Sequence, residues 1–160
     1  MQAADAIRWL VGRGVPIGAG ITVLDLGCGD GTFGLELVQR GCRVTFADEH
    51  NWLPPEAPAG SFQSINLDRE DVRRLGTYDL VICSNVIEHL RQPETLIEAF
   101  PELLTAGGRV YLSWTNWLSP WGGHDFSPFH YFGPKLGPAL WDRLLKRPRL
   151  LKPGENLYVT

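Results

Sequence analysis

The chain has 160 residues, a net charge of −3, 44% hydrophobic and 21% charged residues. These are globular values, and the length suffices for one sizeable core, so residues 1–160 read as a single domain. The charge balance argues against a nucleic-acid partner, no run approaches the ~20 apolar residues of a membrane span, and three cysteines without CxxC spacing (Cys28, Cys42 and Cys83) argue against a disulfide framework or a cysteine metal site.

The cysteines read as small buried hydrophobes in a reducing compartment. The N-terminus carries Asp5 and no long apolar run, so a cytoplasmic location is the expectation. The basic cluster Arg143, Lys146, Arg147, Arg149 and Lys152 reads as a solvated face.

In chain order, apolar positions Ala3, Ala6, Ile7, Leu10 and Val11 predict a leading helix over residues 3–11. Ile21 to Leu26 is a β-branched and apolar run, a buried strand. Thr32 to Arg40 is helical, with Gly41 as its C-terminal stop. A second strand runs from Cys42 to Ala47 and delivers Asp48. A loop holding Trp52, Pro54, Pro55 and Pro58 follows. Ser61 to Leu67 reads as a third strand, and Asp68 to Leu75 as a short surface helix. Tyr78 to Ser84 is the fourth strand. Pro93 to Leu104 has helical periodicity, but Pro101 lacks a backbone donor and predicts a kink or break there. Arg109 to Ser113 is the fifth strand. Residues Trp114 to Phe132 are dense in aromatics, Gly and Pro, which predicts a long structured loop. Pro138 to Leu145 is helical, and Asn156 to Thr160 opens as a strand.

Strands alternating with helices predict an α/β fold with a doubly wound, mostly parallel sheet and helices on both faces. Ligands in such sheets bind beyond the strand carboxyl ends, where strand order reverses. Gly27 to Gly31, Asp48, Asn66 and Ser84–Asn85 all fall at such ends. The first strand runs into Asp25-Leu26-Gly27-Cys28-Gly29-Asp30-Gly31 and then directly into a helix. That geometry brings backbone N–H groups and a helix N-terminus up to a ligand. Asp25 would repel a pyrophosphate at this turn and welcome a cation.

These blocks resemble class I S-adenosylmethionine-dependent methyltransferases. The acidic-x-Gly-x-Gly-x-Gly pattern is met by Asp25, Gly27, Gly29 and Gly31; the acid ending the next strand by Asp48; the fourth strand by Tyr78–Ser84 with Asn85-Val86-Ile87-Glu88-His89-Leu90 after it; and the fifth by Gly107-Gly108-Arg109-Val110-Tyr111-Leu112-Ser113. The resemblance implies a Rossmann-like methyltransferase fold with S-adenosylmethionine as cofactor, held by Asp25, Gly27, Cys28, Gly29, Gly31, Asp48, Glu49, Asn66, Leu67, Ser84 and Asn85. Asp25 then receives the cofactor ammonium, directly or through water. Asp48 accepts the ribose hydroxyls, a vicinal diol matched to two carboxylate oxygens. Asn66 and Leu67 meet the adenine, with Asp68 the competing position. Glu49, His50 or Trp52 covers the ring.

The resemblance implies methyl transfer to a small-molecule acceptor, at an oxygen or otherwise a nitrogen or carbon. An oxygen acceptor must lose a proton, and His124, His130 and His89 are the candidate catalytic groups. His124, Asp125 and His130 read as lining for an acceptor pocket with Trp117, Trp121 and Tyr131, not as a metal site. The loop Trp114–Phe132 is expected to wall the acceptor site. Two other readings stand beside this one: a nicotinamide-dependent oxidoreductase on a similar sheet, disfavoured by Asp25 and the glycine spacing, and a non-catalytic cofactor-binding fragment. The resembled fold closes with two further strands, so the chain reads as C-terminally incomplete. Oligomeric state and acceptor identity are not encoded in these patterns.

Overall fold

The computed structural model describes residues 3–122, 127–146 and 157–158. The chain divides into two compact units: residues 1–84 with 94–112, and residues 85–93 with 113–160.

The first unit is built on a sheet. Helix α1 (Ala3–Gly12) precedes β1 (Thr22–Leu26), α2 (Thr32–Gln39), β2 (Arg43–Asp48), β3 (Phe62–Ser64), β4 (Tyr78–Ser84), α3 (Pro93–Ala99) and β5 (Leu104–Ser113). The strand order is β3-β2-β1-β4-β5. Strand β1 runs parallel to β2 and to β4, and β2 parallel to β3. Strand order therefore reverses between β1 and β4, where Leu26 stands in register with both Ala47 and Cys83. This is the doubly wound Rossmann-like sheet that the sequence pattern predicts, and among the described residues it has five strands.

Alternation along the strands sorts the side chains. Val23, Val44, Phe46, Leu80 and Ile82 form one core with Ile7 and Leu10 of α1 and Leu37 of α2. The alternate positions Leu24, Leu26, Val81 and Cys83 are fully buried as well. A 3-10 turn, Phe100–Leu103, packs against β4. The sheet is thus apolar on both faces, as a parallel sheet requires. At the other end of the strands Asp79 accepts hydrogen bonds from the Thr22 N–H (2.9 Å), Thr22 Oγ1 (2.7 Å) and Thr105 Oγ1 (2.8 Å). One carboxylate so ties β4 to its neighbours. All three cysteines are buried thiols, none of them in a disulfide.

Four boundaries differ from expectation, one being the last helix, which starts at Gly133 and carries Pro138 inside it. Strand β3 pairs only over Phe62–Ser64, opposite Phe46–Asp48; the Ile65 N–H still donates to Asp48 O at 2.8 Å, but β2 ends at that residue and the ladder goes no further. The segment expected as a surface helix forms a 3-10 turn at Val72–Leu75 only, started by the Asp71 carboxylate on the Arg73 N–H. Strand β5 begins at Leu104 and carries Gly107–Gly108 inside it. The helix over residues 93–104 breaks as expected: α3 stops at Ala99 and Pro101 lies in the following 3-10 turn.

The second unit holds 3-10 turns at Ile87–His89 and Phe129–Phe132, helix α4 (Gly133–Leu145), and a small core of Trp117, Trp141 and Leu157 with Phe129 against it. Of the strand expected over Asn156 to Thr160, only Leu157 and Tyr158 lie among the described residues, and the Tyr158 N–H donates to Glu88 O at 2.7 Å. No helix among the described residues is long and apolar enough to cross a membrane.

Candidate cofactor-binding site

The turn after β1 is shaped by three glycines in the left-handed region, with φ of +68° at Gly27, +52° at Gly29 and +80° at Gly31. The Gly27 N–H donates to Ala47 O at 2.8 Å and the Cys28 N–H to the same oxygen at 3.2 Å, so the turn leans on the end of β2. A Cβ at Gly31 would meet Leu53 Cδ2 at 2.5 Å and Phe46 Cε1 at 3.2 Å, whereas a Cβ at Gly29 would meet nothing within 4 Å. Gly31 is therefore pressed against the protein, and Gly29 borders open space that a ligand can enter.

Asp48 ends β2 beside this turn. Its Oδ2 accepts the Gly29 N–H at 2.9 Å and its Oδ1 the Glu49 N–H at 2.7 Å. Each carboxylate oxygen keeps a further lone pair, so the group remains able to accept a pair of hydroxyls. Past β3, Asn66 Nδ2 donates to Glu49 Oε1 at 2.9 Å, the Asn66 N–H donates to Glu70 Oε1 at 2.7 Å, and Asn66 Oδ1 accepts the Asp68 N–H at 3.1 Å. The structure thus brings Glu49 and Asn66 together beside Asp48, with half-buried Leu67 next in the chain. The indole of Trp52 is exposed, its ring 5.9 Å from that of His50.

Asp25 is only 4% exposed. Its Oδ2 accepts the Gly34 N–H at 2.7 Å, in the first turn of α2. Burial pushes its carboxyl up to about 7; the Gly34 N–H opposes this, and the charges of Asp48 and Asp30 add to it. Cys28 is buried and its thiol is pushed up to about 12, first by burial and then by the Asp25 and Asp48 charges. A thiol so placed stays protonated near neutral pH. Asp30 is held below the usual carboxylate range by the Thr32 hydroxyl and N–H, which it accepts at 2.6 Å and 3.1 Å.

Ser84 closes β4, one residue past Cys83, the register partner of Leu26. Asn85 begins the second unit in the left-handed region, with φ of +55°; its N–H donates to Ser113 O at 2.8 Å and its Oδ1 accepts Thr115 Oγ1 at 3.1 Å. His89 is half-buried in the 3-10 turn, its N–H on Val86 O at 2.9 Å. His130 is fully buried: Nε2 lies 3.0 Å from Ser119 O and the ring stands edge-on to Trp117 at 5.5 Å. His124 and Asp125 lie outside the described residues.

Two residues carry more than their sequence context announced. Gly34 packs against Asp25, and its signal is a glycine inside an otherwise good helix, which is unfavourable by about 1 kcal/mol relative to alanine. Glu88 is fully buried; its Oε1 accepts the Thr115 N–H at 3.0 Å, and Oε2 has no hydrogen-bond partner among the described residues. Its signal is a lone acid among the apolar Val86, Ile87 and Leu90.

Comparison with known proteins gives this arrangement a family. A family model described as a methyltransferase domain matches residues 2–155. An uncharacterised methyltransferase of Mycobacteroides abscessus is 31% identical over 159 residues, covering 94% of this chain and 61% of the relative. A ubiquinone biosynthesis O-methyltransferase of Paraburkholderia xenovorans is 34% identical over 105 residues, covering 61% of this chain and 45% of that one. Among solved structures, magnesium protoporphyrin IX methyltransferase from Synechocystis with bound S-adenosylmethionine matches at a TM-score of 0.50 and 26% identity, over 64% of this chain and 52% of that chain. An S-adenosylmethionine-dependent methyltransferase from Mesorhizobium loti shares the fold, at a TM-score of 0.54 and 21% identity over 68% of this chain and 53% of its own. The chain spans about 60% of the length of the curated relatives that match most of it. With the glycine turn, Asp25 and Asp48 arranged at the switch point of the sheet, these matches lead to one conclusion: the chain belongs to the class I S-adenosylmethionine-dependent methyltransferase family.

Proposed function

We propose that this chain carries the cofactor half of an enzyme that moves a methyl group from S-adenosylmethionine to a small molecule, with oxygen as the acceptor atom. The observation that carries the proposal is the pairing of a ligand-accessible glycine turn with two carboxylates, Asp25 below it and Asp48 beside it. The donor set suits the cofactor: Asp48 for the ribose diol, Asp25 for the ammonium, and the open side of Gly29 for the methionyl chain. Glu49, Asn66 and Leu67 form the adenine end, and Ser84 stands at the β4 end of the same reversal in strand order.

When bound, the cofactor supplies an activated methyl group on a sulfonium, and so the transfer chemistry. The protein's part is to bind and orient. Asp48 is fixed in advance by two backbone N–H groups, so ordering it adds little to the free energy of binding. Proximity and alignment then supply much of the acceleration. The oxygen assignment is supported by the O-methyltransferase named among the relatives; the small-molecule assignment is supported by relatives whose names give small-molecule acceptors.

The test has two steps. Calorimetric titration with S-adenosylhomocysteine and with NAD should show binding of the first and none of the second. Radiolabelled methyl transfer is then measured over phenols, carboxylic acids and amines. Transfer to amines alone would overturn the oxygen assignment; tight NAD binding would overturn the whole reading.

A further inference from the structure

We propose that Gly34 is a positioning residue for the carboxylate that meets the cofactor ammonium: its bare α-carbon lets the first turn of α2 close on Asp25 and hold Oδ2 in place. The proposal rests on the reading of Asp25 given above.

The first N–H groups of a helix have no partner within the helix. Here the residue at the N-cap, Gly31, makes no side-chain capping bond. Asp25, nine residues earlier and on β1, supplies the acceptor instead, taking the Gly34 N–H at 2.7 Å. The positive end of α2 therefore lies against a buried carboxyl group. Asp25 and Phe46 are register partners on β1 and β2. Their side chains stand next to each other on the face that α2 covers, and Gly34 sits over both. A Cβ on Gly34 would come within 2.7 Å of Asp25 Oδ2 and within 2.3 Å and 2.8 Å of Phe46 Cε1 and Cζ.

Neither neighbour can yield. Phe46 is fully buried in the core, and Asp25 is a short side chain enclosed at the end of a central strand. Any side chain at position 34 therefore lifts the helix start, lengthens the bond to Oδ2 and shifts the carboxylate. Helix formation alone disfavours glycine here. Close approach to Asp25 and Phe46 is the physical reason for it.

The experiment compares two ligands on three proteins. S-adenosylhomocysteine carries the amino-acid ammonium; 5′-methylthioadenosine keeps the adenosine and thioether and lacks it. Binding of each is measured by calorimetry, with competition for the weaker ligand, on wild type, Gly34→Ala and Gly34→Ala/Phe46→Leu. Gly34→Ala should bind S-adenosylhomocysteine at least tenfold more weakly and 5′-methylthioadenosine within threefold of wild type. Asp25→Asn should reproduce that pattern. The double variant removes the ring contact, so its melting temperature should recover relative to Gly34→Ala while the S-adenosylhomocysteine deficit persists. It also carries the test if the single variant does not fold. Equal losses for both ligands, or unchanged S-adenosylhomocysteine affinity in the double variant, would overturn the proposal. A wild-type protein that binds neither ligand overturns the cofactor reading itself, and the proposal with it.

Discussion

The Gly29 N–H is held by Asp48 Oδ2 at 2.9 Å, a bond that joins the glycine turn to the acid at the end of the neighbouring strand. The acid proposed to take the ribose thus also sets the shape of the turn proposed to take the methionyl chain. Removing it loses both functions together. Asp48→Ala should weaken S-adenosylhomocysteine binding by roughly 1.5–3 kcal/mol, the range for hydrogen bonds to a charged group, or about ten- to over a hundredfold. Calorimetry checks this, and affinity equal to wild type would remove Asp48 from the site.

The glycines of the turn should separate by phenotype. At Gly31 an alanine meets both a left-handed backbone, φ +80°, and Leu53 Cδ2 at 2.5 Å. Gly31→Ala should lower stability by more than the ~1–2 kcal/mol of the backbone conformation alone. At Gly29, with φ +52° and no atom within 4 Å, only the backbone term applies. Gly29→Ala should therefore fold with a loss of about 1–2 kcal/mol and still bind S-adenosylhomocysteine poorly, because the methyl group fills the open side of the turn. Denaturant melts and calorimetry on the two variants decide it; a Gly29→Ala protein with full affinity would place the ligand elsewhere.

The elements that could be read from sequence are those whose cause is local. The apolar runs before Gly27 and Ser84 are strands because they are buried on both faces, and Pro101 ends α3 because it has no N–H to give. The elements misjudged depend on a partner. Ile65 to Leu67 have strand-like composition, yet β2 stops at Asp48, which takes the Ile65 N–H and ends the ladder there. The same holds for the site. Asp25, the glycines and Asp48 follow a spacing visible in the chain, whereas Gly34 is explained only by Phe46 and Asp25 standing in register beneath it. Glu88 is likewise explained by Thr115, twenty-seven residues away.

Within the second unit, Glu88 ties the turn after β4 to the chain at Thr115 and, through its carbonyl, to Tyr158. Glu88→Ala leaves the Thr115 N–H without its acceptor, and should destabilise the protein by about 1–3 kcal/mol. Arg91→Ala, which removes an exposed bond to the Tyr158 hydroxyl, should change stability by less than about 0.5 kcal/mol. Thermal or urea unfolding of the two variants provides the comparison, and equal effects would mean that the buried carboxylate does not organise this turn.

Asp25 gives the protein a pH dependence opposite to that of an ordinary paired carboxylate. Its folded-state value, about 7, lies above the 3.8 of an unperturbed aspartate, chiefly through burial. Between those two values the folded state holds a proton that the unfolded state releases. Stability is therefore lost as pH rises from about 4 to about 7, by about 4 kcal/mol from this one group. Asp25→Asn keeps an acceptor for the Gly34 N–H and cannot ionise. It should lack this slope and melt above wild type at pH 8. The ionised form is the one that attracts an ammonium, so the same substitution should weaken S-adenosylhomocysteine binding, and wild-type affinity should rise with pH through about 7. Binding below that pH should release a proton, seen as a heat that varies with the ionisation enthalpy of the buffer. Melting curves from pH 4.5 to 8 and titrations in two buffers test all three statements. If Asp25→Asn keeps both the wild-type slope and the wild-type affinity, Asp25 neither titrates in this range nor meets the ligand.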